Sequence, residues 1–452
     1  MSNLNNTLSN TLENPTVQES IQCNVDYIVK AKYLITCNPD SKLKRGKEML
    51  DIGLIENGAV AVKHDKILDL GIYDDIVIKY KTSYEKQADV VLPGFVDSHT
   101  HPIFAGSRVN EYIQKSQGTP YIEILKSGGG ILGTVKNTRI ASEEELTVLA
   151  LSRLDRMLIY GTTTIEAKSG YGLSKDEEIR HLKILKKLNE THPIDIISTF
   201  LGAHAVPQEY KDNRKGYLSL ICEEMIPQIA EEKLADFADV FCEEGAFSIT
   251  ETEKILETAH LYGLKTRIHA EQFNSLGGAL LSAKMGSLSC DHLLKLSDDD
   301  MDYIAKTDTV CTFLPACEFF LNSKEYAPMR RAIDKGVAVA LATDFNAGTA
   351  LSESMAMTMS LALLQMKLMP EEVITAGTIN PAISLGKGNI YGSISKGKSA
   401  DMVLIDYNNG LYNRNFDYRN WLYHFGVNMV SNVIKAGKII YTASNIKREV
   451  KK

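Results

Sequence analysis

The central part of the chain alternates short apolar runs with longer segments that carry apolar residues at every third or fourth position. Such runs are typical of buried strands, and the longer segments are typical of amphipathic helices that cover a sheet. One such helix is predicted over residues 143–161, where Gly161 ends the pattern. The eight predicted strands span residues 91–101, 162–170, 195–205, 237–244, 264–272, 287–293, 309–316 and 337–344.

Eight strands separated by helices predict an α/β fold, namely a (β/α)8 TIM barrel over residues 91–385. A doubly wound sheet is the alternative architecture. It is disfavoured because no GxGxxG motif follows the first strand.

Both ends of the chain show a different pattern, in which apolar and polar residues alternate as they do in half-buried strands. Turns are predicted at His64-Asp65 and Ala436-Gly437. We expect the two ends to pair into one small β-sandwich-like domain, made from residues 23–90 and 386–445. Residues 1–22 are polar and are predicted to form a disordered tail.

Composition narrows the class of protein. The 452 residues are 44% hydrophobic and 24% charged, which indicates a globular protein, and the net charge of −7 argues against nucleic acid as a partner. No apolar stretch approaches the roughly 20 residues that cross a membrane, and the N-terminus lacks the features of a secretory signal. Seven scattered cysteines without a CxxC pair favour reduced thiols, and therefore a cytoplasmic protein.

Polar residues collect where the predicted strands end, and in a barrel these ends meet at one mouth. His99 and His101 lie two positions apart on a strand, so both imidazoles point to the same face. His269 and Asp344 end two other strands. Three histidines and one carboxylate suit a single divalent or trivalent metal ion, zinc or iron, with a coordination position left for water.

These motifs resemble the amidohydrolase superfamily. The resemblance rests on PGFVDSHTH at 93–101, single histidines on strands five and six, and Ala-Thr-Asp at 342–344. It implies a metal-dependent barrel hydrolase with a β-domain built from both chain ends. The wider set, with IEAKSGYGL, FLGAHAVPQEY, HAEQF, CDHLL and ATDFNAGT, resembles the branch that hydrolyses the cyclic amide of 4-imidazolone-5-propanoate to N-formimidoyl-L-glutamate in histidine degradation. That branch implies a homodimer.

The resemblance also implies roles for single residues. His99, His101, His269 and Asp344 would bind the metal, and Asp344 would carry the proton from the attacking water to the leaving nitrogen. His292 would stabilise the developing oxyanion. A small-molecule substrate with a carboxylate would be held by a further set of residues, in which Arg108 is the carboxylate anchor: Arg108, Tyr171, His204, Asn346, Gly348 and Thr349.

Several alternatives stay open at this point. Related deaminases place a proton-shuttling Glu where this chain has Gln272, so Gln272 is expected to hydrogen-bond substrate, and the orientation of Glu271 is undetermined. Lys168 is disfavoured as a metal-bridging residue because it lies on strand two. Gly-rich residues 127–130 are expected to form a loop near the mouth. Another amidohydrolase activity, and an inactive relative that serves in binding, remain competing functions.

Overall fold

The computed structural model describes residues 23–37, 42–119, 123, 129–407 and 416–443. The tail predicted over residues 1–22 lies outside the described residues, as do residues 127 and 128 of the predicted glycine-rich loop. Within the part that is described, no helix is long and apolar enough to span a membrane.

Eight parallel strands form the predicted barrel, and each pairs with its neighbour in chain order. The ring closes where Thr100 at the end of the first strand bridges Phe345 after the eighth, and the His101 amide donates to the Phe345 carbonyl over 2.8 Å. We number the strands β1 to β8: Phe95–Thr100, Thr162–Lys168, Asp195–Ala203, Phe237–Cys242, Lys265–Ala270, Ser289–His292, Val310–Phe313 and Val339–Leu341. The barrel prediction is therefore confirmed.

The first predicted strand is in fact two. Residues 85–93 belong to a strand of the second sheet, and β1 begins at Phe95, after Gly94. An ideal Cβ on Gly94 would lie 2.2 Å from the Thr163 hydroxyl, so this position has no room for a side chain. Apolar periodicity could not reveal the break, because residues 90–92 before Gly94 and residues 95–96 after it are all buried and apolar.

Helices cover the outside of the barrel, and one of them begins where the sequence predicts. The helix expected over 143–161 spans Glu143–Ile159; the Ser142 hydroxyl caps it by accepting from the Glu145 amide, and Gly161 follows at φ +94°. Among the described residues, the α-helices are Tyr73–Lys79, Val109–Ser116, Ile131–Ile140, Glu143–Ile159, Lys175–Thr191, Arg214–Ser219, Ile226–Glu231, Ile249–Leu261, Gly278–Lys284, Asp298–Ile304, Pro315–Phe320, Met329–Asp334, Met355–Gln365, Pro370–Ala376, Ile379–Ser384 and Asn420–Tyr423. Shorter 3-10 turns span Gly46–Leu50 and Gln208–Tyr210, and Leu220–Met225 is a π-helical segment.

The second sheet combines both chain ends, as predicted. Its central strand, Glu85–Pro93, pairs in parallel with Tyr27–Ile35 and antiparallel with Met402–Ile405. The seven strands, in order across the sheet, are Lys438–Thr442, Val430–Lys435, Met402–Ile405, Glu85–Pro93, Tyr27–Ile35, Leu54–Lys63 and Lys66–Ile72. The predicted turns at residues 64–65 and 436–437 join the outer hairpins. A separate parallel pair is formed by Cys23–Asn24 and Tyr80–Lys81.

A buried lysine connects the second sheet to the barrel. Lys435 is 5% exposed and lies between Asp401 of the C-terminal segment, at 2.5 Å, and Asp195 at the start of β3. Both carboxylates would lose their counter-charge if the ammonium group were removed. Uncompensated buried charge is costly. Lys435 is therefore a specific link between the second sheet and the barrel.

We expect Lys435→Met to lower the free energy of unfolding by about 3 kcal/mol, since it leaves the nearly buried Asp401 without a cation. Chemical denaturation followed by circular dichroism would measure the change. Lys438→Met is the matched control, because Lys438 lies three residues away on the same hairpin and is exposed. Equal stability of the two variants would contradict the role given to Lys435.

Candidate active site

The two histidines at the end of β1 converge, as their spacing predicts. Their Nε2 atoms lie 3.4 Å apart, and Asp344 Oδ1 is 3.5 Å from the first and 3.6 Å from the second. His99 Nδ1 is 2.7 Å from Asp291 Oδ2. A carboxylate only accepts, so the proton lies on His99 Nδ1, and the lone pair on Nε2 points at His101 and Asp344.

Two more histidines complete the cluster. The His269 ring centroid lies 4.4 Å from that of His99 and 5.1 Å from that of His292. Ligand atoms of His99, His269 and His292 lie within 4.8 Å of one another, and so do those of His99, His101 and Asp344. The structure therefore brings together all four predicted metal ligands, with His99 common to both groups.

The chemistry of these groups fits a metal ion. Burial, together with Lys168 and the neighbouring histidines, holds the pKa of His99 well below its usual value, and burial has the same effect on His101. The imidazoles are therefore neutral, as metal binding requires. His269 Nε2 is buried without a hydrogen-bond partner among the described residues. Buried lone pairs that face each other are unfavourable, and a cation such as zinc or iron would satisfy them.

Asp344 combines burial with polar contacts. Burial raises its pKa to about 6, and the Thr349 hydroxyl lies 3.3 Å from Oδ2. Its backbone has φ +54°, and His292 at the end of β6 has φ +80°. Positive φ is rare for residues other than glycine, and strained backbone of this kind clusters at functional sites.

A buried ion network supports the histidines from inside the barrel. Asp239 on β4 lies 3.0 Å from His269 Nδ1 and accepts from Lys168 Nζ over 2.7 Å. Lys168 also donates to Glu166 over 2.7 Å. Lys168 thus lies as a cation between two buried carboxylates. Arg267 lies 3.3 Å from Asp291, the carboxylate that contacts His99.

A small pocket of about 70 Å³ opens beside the cluster at the mouth of the barrel. Tyr171 and His204, both predicted to bind substrate, lie in its wall, and their ring centroids are 5.4 Å apart. Burial lowers the pKa of His204 to about 3, so its imidazole is neutral. The residues that line the pocket are His101, Arg108, Ile131, Tyr171, His204, Phe241, His269, Gln272, Phe273, His292, Asn346 and Thr349.

Arg108 reaches the pocket from the helix that follows β1. Its Nε and Nη2 donate to one Glu111 oxygen over 2.8 and 2.6 Å, and the other Glu111 oxygen accepts from the Gly130 amide. An ideal Cβ on Gly348 would lie 1.7 Å from Arg108 Nη1. Gly348 thus makes room for the guanidinium and does not line the pocket, whereas its neighbours Asn346 and Thr349 do.

Hydrogen bonds determine which way Glu271 and Gln272 point at the end of β5. The Glu271 carboxylate accepts from the amides of Gly277, Gly278 and Ala279, each over 2.8 Å, and so turns away from the pocket. Gln272 lines the pocket, and its Nε2 lies 3.6 Å from Cys317 Sγ. The side chain that faces the pocket is therefore the Gln272 amide, a point that the sequence alone leaves open.

Sequence reasoning missed three contributors to the site. Asp239 and Asp291 lie beside two of the predicted metal ligands, His269 and His99, and Cys317 lies within 4.8 Å of His292 and Asp344 ligand atoms. Asp239 carries a signal, because it is a charged residue inside an otherwise apolar barrel strand and so needs a buried partner. Asp291 lacks this contrast, because its strand, Ser289–His292, is mostly polar. Cys317 carries no comparable signal, because a buried cysteine is common in any core.

The family model described as "Amidohydrolase family" matches residues 90–440 of this sequence. The chain belongs to the amidohydrolase family. The match spans the whole barrel and most of the C-terminal strands of the second sheet.

Relatives with curated names are similar over nearly the whole chain. A protein of Alkaliphilus oremlandii named imidazolonepropionase is 44% identical over 428 residues, which cover 94% of this chain and 100% of the relative. One of Thermoanaerobacter pseudethanolicus with the same name is 46% identical over 391 residues, which cover 86% of this chain and 92% of the relative.

Solved structures show the same fold at low sequence identity. An adenosine deaminase of Xanthomonas campestris with bound zinc has a TM-score of 0.68 and 17% identity, with 92% of this chain and 93% of that chain covered. Guanine deaminase of Escherichia coli has a TM-score of 0.68 and 16% identity, with 92% and 100% covered. These two structures have the same barrel fold as this chain.

The Asp291 contact gives a test of the proposed metal centre. Asp291→Asn removes the carboxylate that fixes His99 Nδ1, and loss of such a partner lowers metal affinity about 10- to 100-fold. Competition with a chromophoric chelator would measure this change, independently of activity. Asp299→Asn is the control, because Asp299 is exposed on the next helix. Unchanged affinity in Asp291→Asn would exclude His99 as an oriented ligand.

Proposed function

We propose that this protein is a metal-dependent hydrolase that opens the ring of 4-imidazolone-5-propanoate with water and yields N-formimidoyl-L-glutamate. The observation that carries the proposal is the joint presence of a histidine–aspartate cluster and an arginine in one small pocket. Relatives named imidazolonepropionase that are 44–46% identical over most of the chain support the same substrate.

The proposed metal ligands are His99, His101, His269 and Asp344, and the ion is zinc or iron. When bound, the ion would acidify a water molecule and polarise the ring carbonyl. Neutral imidazoles and a carboxylate suit both metals, so the donor set does not separate them. The structurally similar adenosine deaminase has bound zinc, which supports zinc as the ion.

The remaining groups of the pocket suit a five-membered cyclic amide with a propanoate. The Arg108 side chain is 8% exposed and offers charge to the carboxylate of the substrate, while Glu111 fixes the orientation of the guanidinium. Tyr171, His204 and Gln272 would hydrogen-bond the ring, and Asn346 and Thr349 would contact substrate or product. Gly348 would serve by leaving space for Arg108.

Two groups would act on the reacting atoms. His292 would donate a hydrogen bond to the oxygen on which charge develops. Asp344 would take the proton of the attacking water and pass it to the ring nitrogen as the carbon–nitrogen bond breaks. Water adds across that bond: the carbonyl carbon becomes a carboxylate, and the nitrogen remains in the formimidoyl group. Gln272 would hold the substrate in place without exchanging a proton.

We propose a cytoplasmic homodimer. All seven cysteines are free, and six are buried, which supports a reducing compartment. The dimer rests on the family resemblance alone.

The function can be tested by direct turnover. Imidazolone propanoate would be generated in place from urocanate by urocanase, and its ultraviolet absorbance would be followed after the purified protein is added. We expect the absorbance to fall, to stop falling after chelation, and to fall again after zinc or iron is returned. Folded, metal-loaded protein without turnover would refute the substrate assignment.

Arg108→Ala should raise KM about 10- to 100-fold and change kcat much less, because the anchor binds ground and transition states alike. Asp344→Asn provides the contrast: it should nearly abolish kcat, because both a metal ligand and the proton carrier are altered. Steady-state kinetics with the same assay would separate the two. A normal KM in Arg108→Ala would remove Arg108 from carboxylate recognition.

A further inference from the structure

We propose that Glu178 is a positioning residue that fixes the loop after β2 and, through that loop, places Tyr171 and His204 against the substrate. The proposal rests on the proposed function, since it concerns the same pocket. Glu178 lies on the outer helix Lys175–Thr191, outside the pocket lining, so neither a sequence motif nor proximity to substrate marks it.

The Glu178 carboxylate gathers the backbone donors of the loop. It accepts from the amide of Gly170 over 3.0 Å, from that of Gly172 over 2.8 Å and from that of Leu173 over 2.8 Å. The side chain is fully buried. Three N–H groups on one buried carboxylate form strong, charge-assisted hydrogen bonds, which fix the loop in one conformation.

The loop is wound tightly around this carboxylate. Gly170 has φ +103° and Leu173 has φ +51°, a conformation that a leucine adopts only when its surroundings impose it. An ideal Cβ on Gly172 would lie 2.7 Å from the Glu177 Cβ, so the backbone passes directly over the start of the helix. Without the carboxylate, three amides would be buried without an acceptor, and the loop would relax.

The same loop connects to the pocket at two points. The N–H of Gly170 donates to Glu178, and the carbonyl of Gly170 accepts from His204 Nδ1 over 3.0 Å. That bond places the proton on Nδ1 and leaves Nε2 as an acceptor. The His204 ring lies nearly parallel to His101, at 5.3 Å and 19°. Tyr171 stands between the bonded residues 170 and 172, with its ring in the pocket wall.

Glu178→Gln tests this directly, because the amide is nearly isosteric but turns an N–H₂ group toward at least one backbone donor. We expect KM for imidazolone propanoate to rise about tenfold, because a loop with an unpaired buried amide no longer holds Tyr171 and His204 in position against the substrate. We expect kcat to change less than about threefold, because the metal ligands are untouched. Asp176→Asn is the matched control: it removes the same charge from an exposed position two residues away.

A purely structural role would lower stability and leave KM unchanged, and this outcome would overturn the proposal. A double-mutant cycle sharpens the distinction. If Glu178 acts through the loop on His204, then Glu178→Gln should raise KM much less in a His204→Ala background than in the wild-type protein. Additive effects on KM would show that the two residues act independently, and the proposed connection would be wrong.

A measurement on the unmodified protein covers the case in which Glu178→Gln does not fold. Hydrogen exchange should show the amides of Gly170, Gly172 and Leu173 protected to the same degree as strand β2. Exchange at the rate of exposed loops would overturn the proposal. Wild-type protein that fails to turn over imidazolone propanoate would refute the proposed function alone, because the exchange result does not depend on substrate.

Discussion

The site depends on a buried network of charges that fixes the histidines from behind. Lys168 and Arg267 are fully buried cations in the barrel interior, and they contact Asp239 and Asp291, which in turn hold His269 and His99. Coulomb attraction between the fully buried Lys168 and Asp239 offsets the cost of burying both groups, although such pairs add little net stability. The network orients the histidine rings. Because His99 Nδ1 contacts Asp291, the lone pair on His99 Nε2 faces the mouth of the barrel.

Buried glutamate carboxylates also fix the loops around the mouth of the barrel. The carboxylates of Glu178, Glu271 and Glu243 accept backbone amides of the loops after β2 and β5. Each satisfies N–H groups that would otherwise be buried without partners. The oriented histidines and the hydrogen-bonded loops together leave a pocket of only about 70 Å³.

Much of this arrangement could be predicted from the sequence, because its signals are local. Short apolar runs and helical patterns located the eight barrel strands, alternating patterns located the paired chain ends, and strand-end histidines located the histidine–aspartate cluster. The break at Gly94 was not predictable, since the residues directly on both sides of it are apolar. The roles of Asp239, Cys317 and Glu178 depend on contacts between distant residues, for example residues 71 positions apart in the Lys168–Asp239 pair. Periodicity carries no information about such contacts.

The comparison with deaminases explains why substrate choice has to come from the loops. An adenosine deaminase and a guanine deaminase share this barrel with a TM-score of 0.68 at 16–17% identity. A strand-borne cluster that activates water serves any such hydrolysis, so it cannot discriminate between rings. For the proposed function, discrimination would lie in groups that only one substrate needs: an arginine for a carboxylate, and an amide, Gln272, where a proton-shuttling carboxylate would serve deamination. An amide accepts and donates hydrogen bonds but does not carry a proton at neutral pH. We therefore propose ring opening at an amide, with the proton carried by Asp344, as the chemistry of this pocket.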